Sequence, residues 1–344
     1  MSKTTQVTAT SARSTHPLPT PRARRRYAIT VGVLIALAAG ITVGTLSWDN
    51  PMPFGSEGFW LIAQLRVQNL LVIALVALCH STATVAFQTV TGNRILTPSI
   101  MGFESLYTLI QTGSVFIFGI AGGSVLRGTP QFVLQTVVMV VFAVLLYSWL
   151  LSGRRGDLQT TLLIGLVIGG GLGAASTFMQ RLLTPSEFDV LTARLVGSIA
   201  SAHAEYLAIA VPVCLVAVTL LVLMSGRLNL LGLGRDTAVN LGLNYKKNLI
   251  MVLGLVSVLM AMTTALVGPL TFFGFLVAMI SYQLADTYDH YRVFPVSWLT
   301  GFVVLGGAHF ILKNIFYAQG SVGIIIELVG GTFFLAYILK RGRL

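Results

Sequence analysis

Apolar residues fall in ten blocks along the chain, at about 27–47, 66–90, 98–119, 130–151, 159–180, 205–225, 248–268, 270–285, 295–312 and 322–339. A bilayer crossing takes roughly 20 such residues as a helix. The pattern predicts an all-α membrane protein with about ten transmembrane helices and short connections. No stretch between the blocks reaches the roughly 100 residues of a typical soluble domain. Residues 27–344 are expected to form one polytopic domain, and residues 1–26, rich in Ser, Thr, Pro and Arg, a disordered tail. The Arg22–Arg26 cluster ahead of the first block has the look of a signal peptide, but a run long enough to span marks a retained helix.

Several blocks carry internal punctuation. Thr97-Pro98 opens one and Gly268-Pro269 interrupts another. Proline removes a backbone donor, and a broken helix at membrane depth needs protein or a water-filled cavity beside it. The run at 266–284 is expected to be a span, a kinked turn near the outer surface and a returning span. PSIMGFESL (98–106) and GPLTFFGFL (268–276) echo each other weakly, a hint of an internal repeat. Gly165, Gly169 and Gly173 recur every four residues, which suits close helix packing or a helix that must slide beside a pathway. LGRDTAVNLGLNYKKN (233–248) is a short polar helix pattern between two long apolar runs, the mark of a docking element for a partner outside the membrane.

Charge then sets the topology. The formal net charge is +11, with 22 Lys and Arg. With the N-terminus inside, 17 of them lie on cytoplasmic segments and 5 (Arg66, Arg127, Arg181, Arg194 and Lys313) on the outer side. This is the positive-inside distribution; it places both termini in the cytoplasm and makes the basicity a topology signal rather than a sign of nucleic-acid binding. Cys79 and Cys214 fall inside expected spans and have no metal-type spacing, so they read as small buried hydrophobes.

The sequence lacks a Gly-x4-Gly-Lys-Ser/Thr loop and a His-Glu-x-x-His pair, so it has neither that nucleotide cradle nor that zinc site. His80, Glu104, His309 and Glu327 are the ionisable residues expected inside spans, where each is either structural or part of a path or gate. They are scattered rather than arrayed as a proton relay. An ion-coupled secondary transporter would need a coupling cluster, and a membrane enzyme would need convergent ligands near one surface. Neither is found.

Four segments in order resemble the membrane-spanning permeases of binding-protein-dependent ABC importers for iron–siderophore complexes and vitamin B12, the FecCD-type family. GNRILTPSIMGFESL (92–106) resembles the family's Asn-Pro-Leu-Ala stretch, with Asn93, Pro98 and Gly102 in register. LGRDTAVNLGLNYKKN resembles its cytoplasmic Leu-Gly loop, GPLTFFGFLVAMI its Gly-Pro segment, and GSVGIIIELVGGTFFL (320–335) its closing segment. The sequence departs from the family where Ala278-Met279 replaces a Pro-His pair, where only Arg66 survives of an outer Arg-x-Pro-Arg, and where His309 and Lys313 stand for an Asp and an Arg.

The resemblance implies a type II ABC importer permease in the bacterial cytoplasmic membrane, not itself an enzyme. ATP and Mg would sit on a separate ATPase dimer, and this chain would bind no cofactor or metal. A second homologous permease would complete the path, as a heterodimer in preference to a homodimer, and an extracytoplasmic siderophore-binding protein would deliver the cargo. The ATPase would meet Arg235, Asp236, Ala238, Leu241, Gly242 and Asn244, with Ala238 and Leu241 as the apolar face. Arg66 and Lys313 would face the binding protein. Thr177, Phe178, Gln180, Gly268 and Pro269 are candidates for the path or gate. Vitamin B12 and haem permeases share this architecture, so ferric siderophore is the expected cargo and those two the alternatives.

Overall fold

The computed structural model describes residues 17–122, 128–152, 158–196, 199, 204–317 and 321–341. The first sixteen residues of the expected tail, and Arg127, Arg154, Arg155 and Arg343 of the charge map, lie outside the described residues.

The described residues are helical, with no strand among them. In chain order the elements are α1 (Pro21–Ser47), α2 (Glu57–Thr91), a 3-10 turn at Pro98–Met101, α3 (Phe103–Gly122), α4 (Thr129–Ser152), α5 (Leu158–Gln180), α6 (Pro185–Leu195), α7 (Ala204–Leu223), α8 (Ser225–Leu231), α9 (Arg235–Asn240), α10 (Tyr245–Val267), α11 (Phe273–Ala285), α12 (His290–Asn314) and α13 (Val322–Arg341). Eight of these, α1, α2, α4, α5, α7, α10, α12 and α13, contain stretches long and apolar enough to cross a membrane. The remaining apolar helices are α3, which holds a non-helical Gly119, and α11, which has 13 residues.

Three boundaries differ from the sequence reading. α1 begins at Pro21, inside the expected tail, because the Thr20 side chain accepts from the Ala23 N–H and Pro21 needs no helical donor at its position. α2 begins at Glu57 rather than 66, capped by the Ser56 hydroxyl with an acidic residue in its first turn. It has 35 residues, more than a bilayer requires. α6 was not expected. Its eleven residues are too few and too polar to read as a span, but Pro185 and a Thr184/Glu187 capping box start the helix cleanly.

α2 and α10 form the centre, with α12 and α11 beside α2, α4 beside α10, and α3 against α5. Helices in lipid gain nothing from apolar association as such, so close approach decides where they meet. A Cβ on Gly301 would lie 3.3 Å from the Ala77 carbonyl oxygen, and one on Gly274 would collide with the Thr84 hydroxyl. Buried hydroxyls return to their own helix, as when Ser257 donates to the Leu253 carbonyl and Ser281 to the Val277 carbonyl. Cys79 and Cys214 are both buried and free, as small core residues.

One end of the bundle gathers the start of α1, the end of α2, α8 and the α11–α12 turn. Arg26 pairs with Asp286 at 3.2 Å, the Tyr27 hydroxyl donates to the Arg292 carbonyl, and the His290 ring sits between Thr89 and Asn229. This is the basic end.

Candidate functional site

Residues 225–248 fold as two short helices and two glycine turns at the basic end. Gly232 packs so closely on α2 that a Cβ there would stand 3.3 Å from the Thr89 methyl. Gly234 turns the chain at φ 92° and α9 follows. α9 ends in a Schellman motif: the Gly242 N–H donates to the Val239 carbonyl and the Leu243 N–H to the Ala238 carbonyl, with Gly242 at φ 83°. Asn244 then caps α10 by accepting from the Lys247 N–H. The spacing Leu-Gly…Leu-Gly is thus the signature of a rigid, separately capped knuckle. Gly234 and Gly242 supply its two left-handed turns, and Asn244 fixes the exit.

The knuckle's exposed face differs from the one expected. Ala238 is fully buried, turned inward, while Leu233, Val239 and Leu241 are each more than half exposed. Those three large side chains make the outward apolar face, and Arg235 and Asp236 stand exposed beside them. A six-residue helix rolls one side under, and position alone does not say which; Ala238 is the small residue that fits there.

At the opposite side of α10 lies the Gly268-Pro269 turn. α10 stops because Gly268 takes φ 82°, and Pro269 has no N–H to continue the ladder. Gly268 is buried and Pro269 half-buried within this chain. The next residue but one, Thr271, joins three elements. Its hydroxyl lies 2.6 Å from the Glu104 carboxylate at the start of α3 and 3.4 Å from the Glu327 carboxylate on α13. Sequence reading singled out both glutamates but not the threonine between them. The echo of 98–106 and 268–276 was the available signal, since Glu104 and Thr271 occupy the two echoing segments. α13 comes close here because a Cβ on Gly330 would sit 2.8 Å from the Phe272 Cβ.

The α5 glycines divide into two sets. Gly165, Gly169 and Gly173 face the Pro98–Met101 turn and α3: a Cβ on Gly102 would stand 3.2 Å from the Gly169 Cα, and one on Gly165 would stand 2.9 Å from the Met101 Cε. Gly170 and Gly171 face open space. Thr177 and Phe178 are exposed with them, Phe178 strongly so, although the Thr177 hydroxyl folds back on the Gly173 carbonyl. Gln180 does not join them. Its amide donates to Thr112 and Ser176 on the packed side, beside a Thr112–Ser176 hydroxyl contact. Glutamine at membrane depth takes an interhelical partner when one is in reach, and α3 supplies it.

Of the two outer cations, Arg66 is already engaged. Its guanidinium donates to the Thr45, Trp48 and Asp49 carbonyls, closing the C-terminal end of α1. Because α2 starts at Glu57, Arg66 lies on the third turn of a helix rather than at a span end. Lys313 is exposed, close enough to Arg66 to feel its charge. His309, one turn earlier, is buried, and so is His80, whose ring meets Phe273 edge-on with centroids 5.6 Å apart. Among the described residues no group of three or more His, Cys, Asp or Glu is placed to hold a metal ion.

A helical membrane bundle with a capped knuckle at its basic end and a tied, broken helix in its interior is the build of a transport permease. Residues 28–341 match the model of the FecCD transport family, and the chain belongs to that family. It is 45% identical over 333 residues to the petrobactin import system permease protein FatC of Bacillus anthracis, covering 97% of this chain and 94% of that one. It is also 27% identical over 298 residues to the petrobactin import system permease protein FatD of the same organism, covering 84% and 83%. The fold is that of a metal-chelate type ABC transporter solved in an inward-facing conformation, with a TM-score of 0.75 at 21% identity over 91% of this chain and 99% of that one. The protein is therefore a multi-pass ABC-importer-type permease.

Proposed function

We propose that this chain is the permease half-site of an ATP-driven importer that carries a ferric siderophore across the bacterial cytoplasmic membrane. It would cross the membrane ten times, α3 and α11 included, with both termini in the cytoplasm. A separate ATPase dimer hydrolyses MgATP; a second, homologous permease completes the path; an extracytoplasmic binding protein delivers the cargo. The likeness to both FatC and FatD, two permeases named for one import system, supports a heterodimer. Petrobactin in those names supports a siderophore over vitamin B12 or haem.

The knuckle carries the reading. Leu233, Val239 and Leu241 expose large apolar surface on an otherwise polar segment, where a groove on the ATPase would cover it. Arg235 and Asp236 form the polar rim. Gly242 and Asn244 hold the knuckle stiff, so that a push on it reaches α10 directly. Its other end is the Gly268-Pro269 turn, the natural place for a gate. Lys313 is the residue left free to meet acidic groups of the binding protein, since Arg66 is held by α1.

The test is reconstitution in vesicles with the ATPase, a second permease and the binding protein. The full set is expected to accumulate ferric siderophore with ATP, and this chain alone to accumulate none. Leu241→Asp is expected to leave the protein in the membrane and reduce uptake at least tenfold while the ATPase still turns over. Normal uptake by that variant removes the docking role.

A further inference from the structure

α12 does not cap itself. Asp289 stands at its N-cap, where an aspartate ordinarily holds the first amides, yet its side chain bonds none of them. It is drawn aside by Arg292 at 3.3 Å and by the Asn229 amide, which donates to it at 3.0 Å. The first N–H groups of a helix have no partner within it. That of His290 finds one on another helix, donating to the Asn229 Oδ1 at 3.2 Å. The His290 ring bonds the same oxygen through Nδ1. An amide oxygen only accepts, so the ring proton sits on Nδ1, and Nε2 faces the Thr89 hydroxyl on α2 at 2.7 Å. One half-buried side chain on α8 thus caps α12, turns Asp289 and fixes the His290 ring.

Asn229 is joined to the knuckle without a break. Leu228 and Leu231, on either side of it, seat α8 in the core. The Gly232, Leu233 and Gly234 N–H groups donate to the Leu228, Leu230 and Leu231 carbonyls, and the Ala238 N–H to the Gly234 carbonyl. Backbone hydrogen bonds therefore run from α8 into α9, and a displacement of α9 meets no slack before it reaches Asn229. The chain itself leads from the knuckle into α10. It does not lead directly into α12, which begins 61 residues after Asn229, so only the side-chain cap makes that link.

We infer that Asn229 is a positioning residue for transport: it carries the stroke of the knuckle into α12, as Asn244 carries it into α10. This rests on the knuckle being the ATPase contact. α10 and α12 both pack on α2, so a stroke entering by both moves the two flanks of the central helix together.

The experiment is reconstitution of the full transporter in vesicles, with ferric petrobactin as the probe, reading cargo accumulated per ATP hydrolysed. Asn229→Asp sets two carboxylates face to face with no donor between them; cargo per ATP is expected to fall at least about fivefold while hydrolysis stays within about twofold. Asp289→Asn still offers an oxygen to the Asn229 amide and is expected to stay within about twofold of the wild type. The double variant, Asn229→Asp with Asp289→Asn, returns a donor to the pair from the other side and is expected to recover to within about twofold of Asp289→Asn. A merely structural cap would lower hydrolysis and uptake in step, leaving cargo per ATP unchanged, and that result overturns the inference. So does a double variant no better than Asn229→Asp. Asn229→Ala removes the bonds without adding charge and is expected to lose cargo per ATP about threefold. It decides the matter where Asn229→Asp fails to fold, and wild-type coupling in it overturns the inference. A wild-type set that accumulates nothing removes the transport reading and this inference with it, whereas normal coupling in the Asn229 variants removes this inference alone.

Discussion

α1 and α2 are equally apolar, yet 11% of the α1 span is buried in the protein and 83% of the α2 span. In water such a difference would be written in the pattern of polar residues. In lipid it is not, because an exposed Leu costs nothing there. α5, 17% buried, shows what does carry information. Each turn of the open face of α1 bears a large side chain, such as Ile29, Val33, Leu37 or Val43, which suits acyl chains. The open face of α5 carries only Gly170, Gly171, Ala174 and Ala175 between exposed Val167 and Phe178. Side-chain size, not apolarity, separates a face made for lipid from one made for another backbone or for cargo.

The sharpest way to break this comparison is on the packed side of α5. Gly102 sits at φ 94° with the Gly169 Cα 3.2 Å from where its Cβ would be. Gly102→Leu is expected to lose about 2–5 kcal/mol from backbone strain and overpacking. Melting in detergent should show it, and a wild-type midpoint would refute the close approach. On the open side of α5, Ala174→Trp is expected to change melting by under about 0.5 kcal/mol. Uptake in the reconstituted set should nevertheless fall at least tenfold, because the bulk would sit in the partner face or path. The same test on α1, Ile35→Ala, is expected to alter neither quantity measurably; a clear loss of uptake would show that α1 also meets a partner.

Two smaller effects probe the loops. Lys313→Glu is expected to weaken capture of the loaded binding protein several-fold at low salt, with the gap closing at high salt. Equal affinities at low salt would remove that contact. The Glu187 carboxylate accepts from the Thr184 N–H and hydroxyl, which holds its pKa below the usual carboxylate value. A lowered folded-state pKa means the box supports α6 at neutral pH and loses that support as pH falls through the folded value. Amide protection in α6, taken relative to the intrinsic exchange rate at each pH, should therefore fall on acidification in the wild type, and much less so in Glu187→Gln.

Much of this was legible beforehand for a plain reason. Apolar block length reports helix number, so α4, α5, α7, α12 and α13 came out within a few residues of their ends. Gly234, Gly242 and Asn244 are residue types with strong conformational preferences, and each does the local task its type suggests. Orientation is what position along the chain does not give. Which way Ala238, Gln180 and Arg66 turn depends on neighbours far off in sequence. Arg66 found the carbonyls at the end of α1, Gln180 found Thr112, and α9 rolled Ala238 under. α6 escaped because its start is marked by a cap rather than by hydropathy.

Thr271 has a single hydroxyl hydrogen and two carboxylates to face, and it favours Glu104 over Glu327 by 0.8 Å, the difference between 2.6 and 3.4 Å. The hydroxyl thus moors the short α10–α11 connection to α3, while α13 is held there by side-chain packing, Gly330 on Phe272 and Phe334 against Phe272 and Phe275. The same connection is therefore fastened by polarity on one flank and by shape on the other, and a change that touches one fastening leaves the other in place.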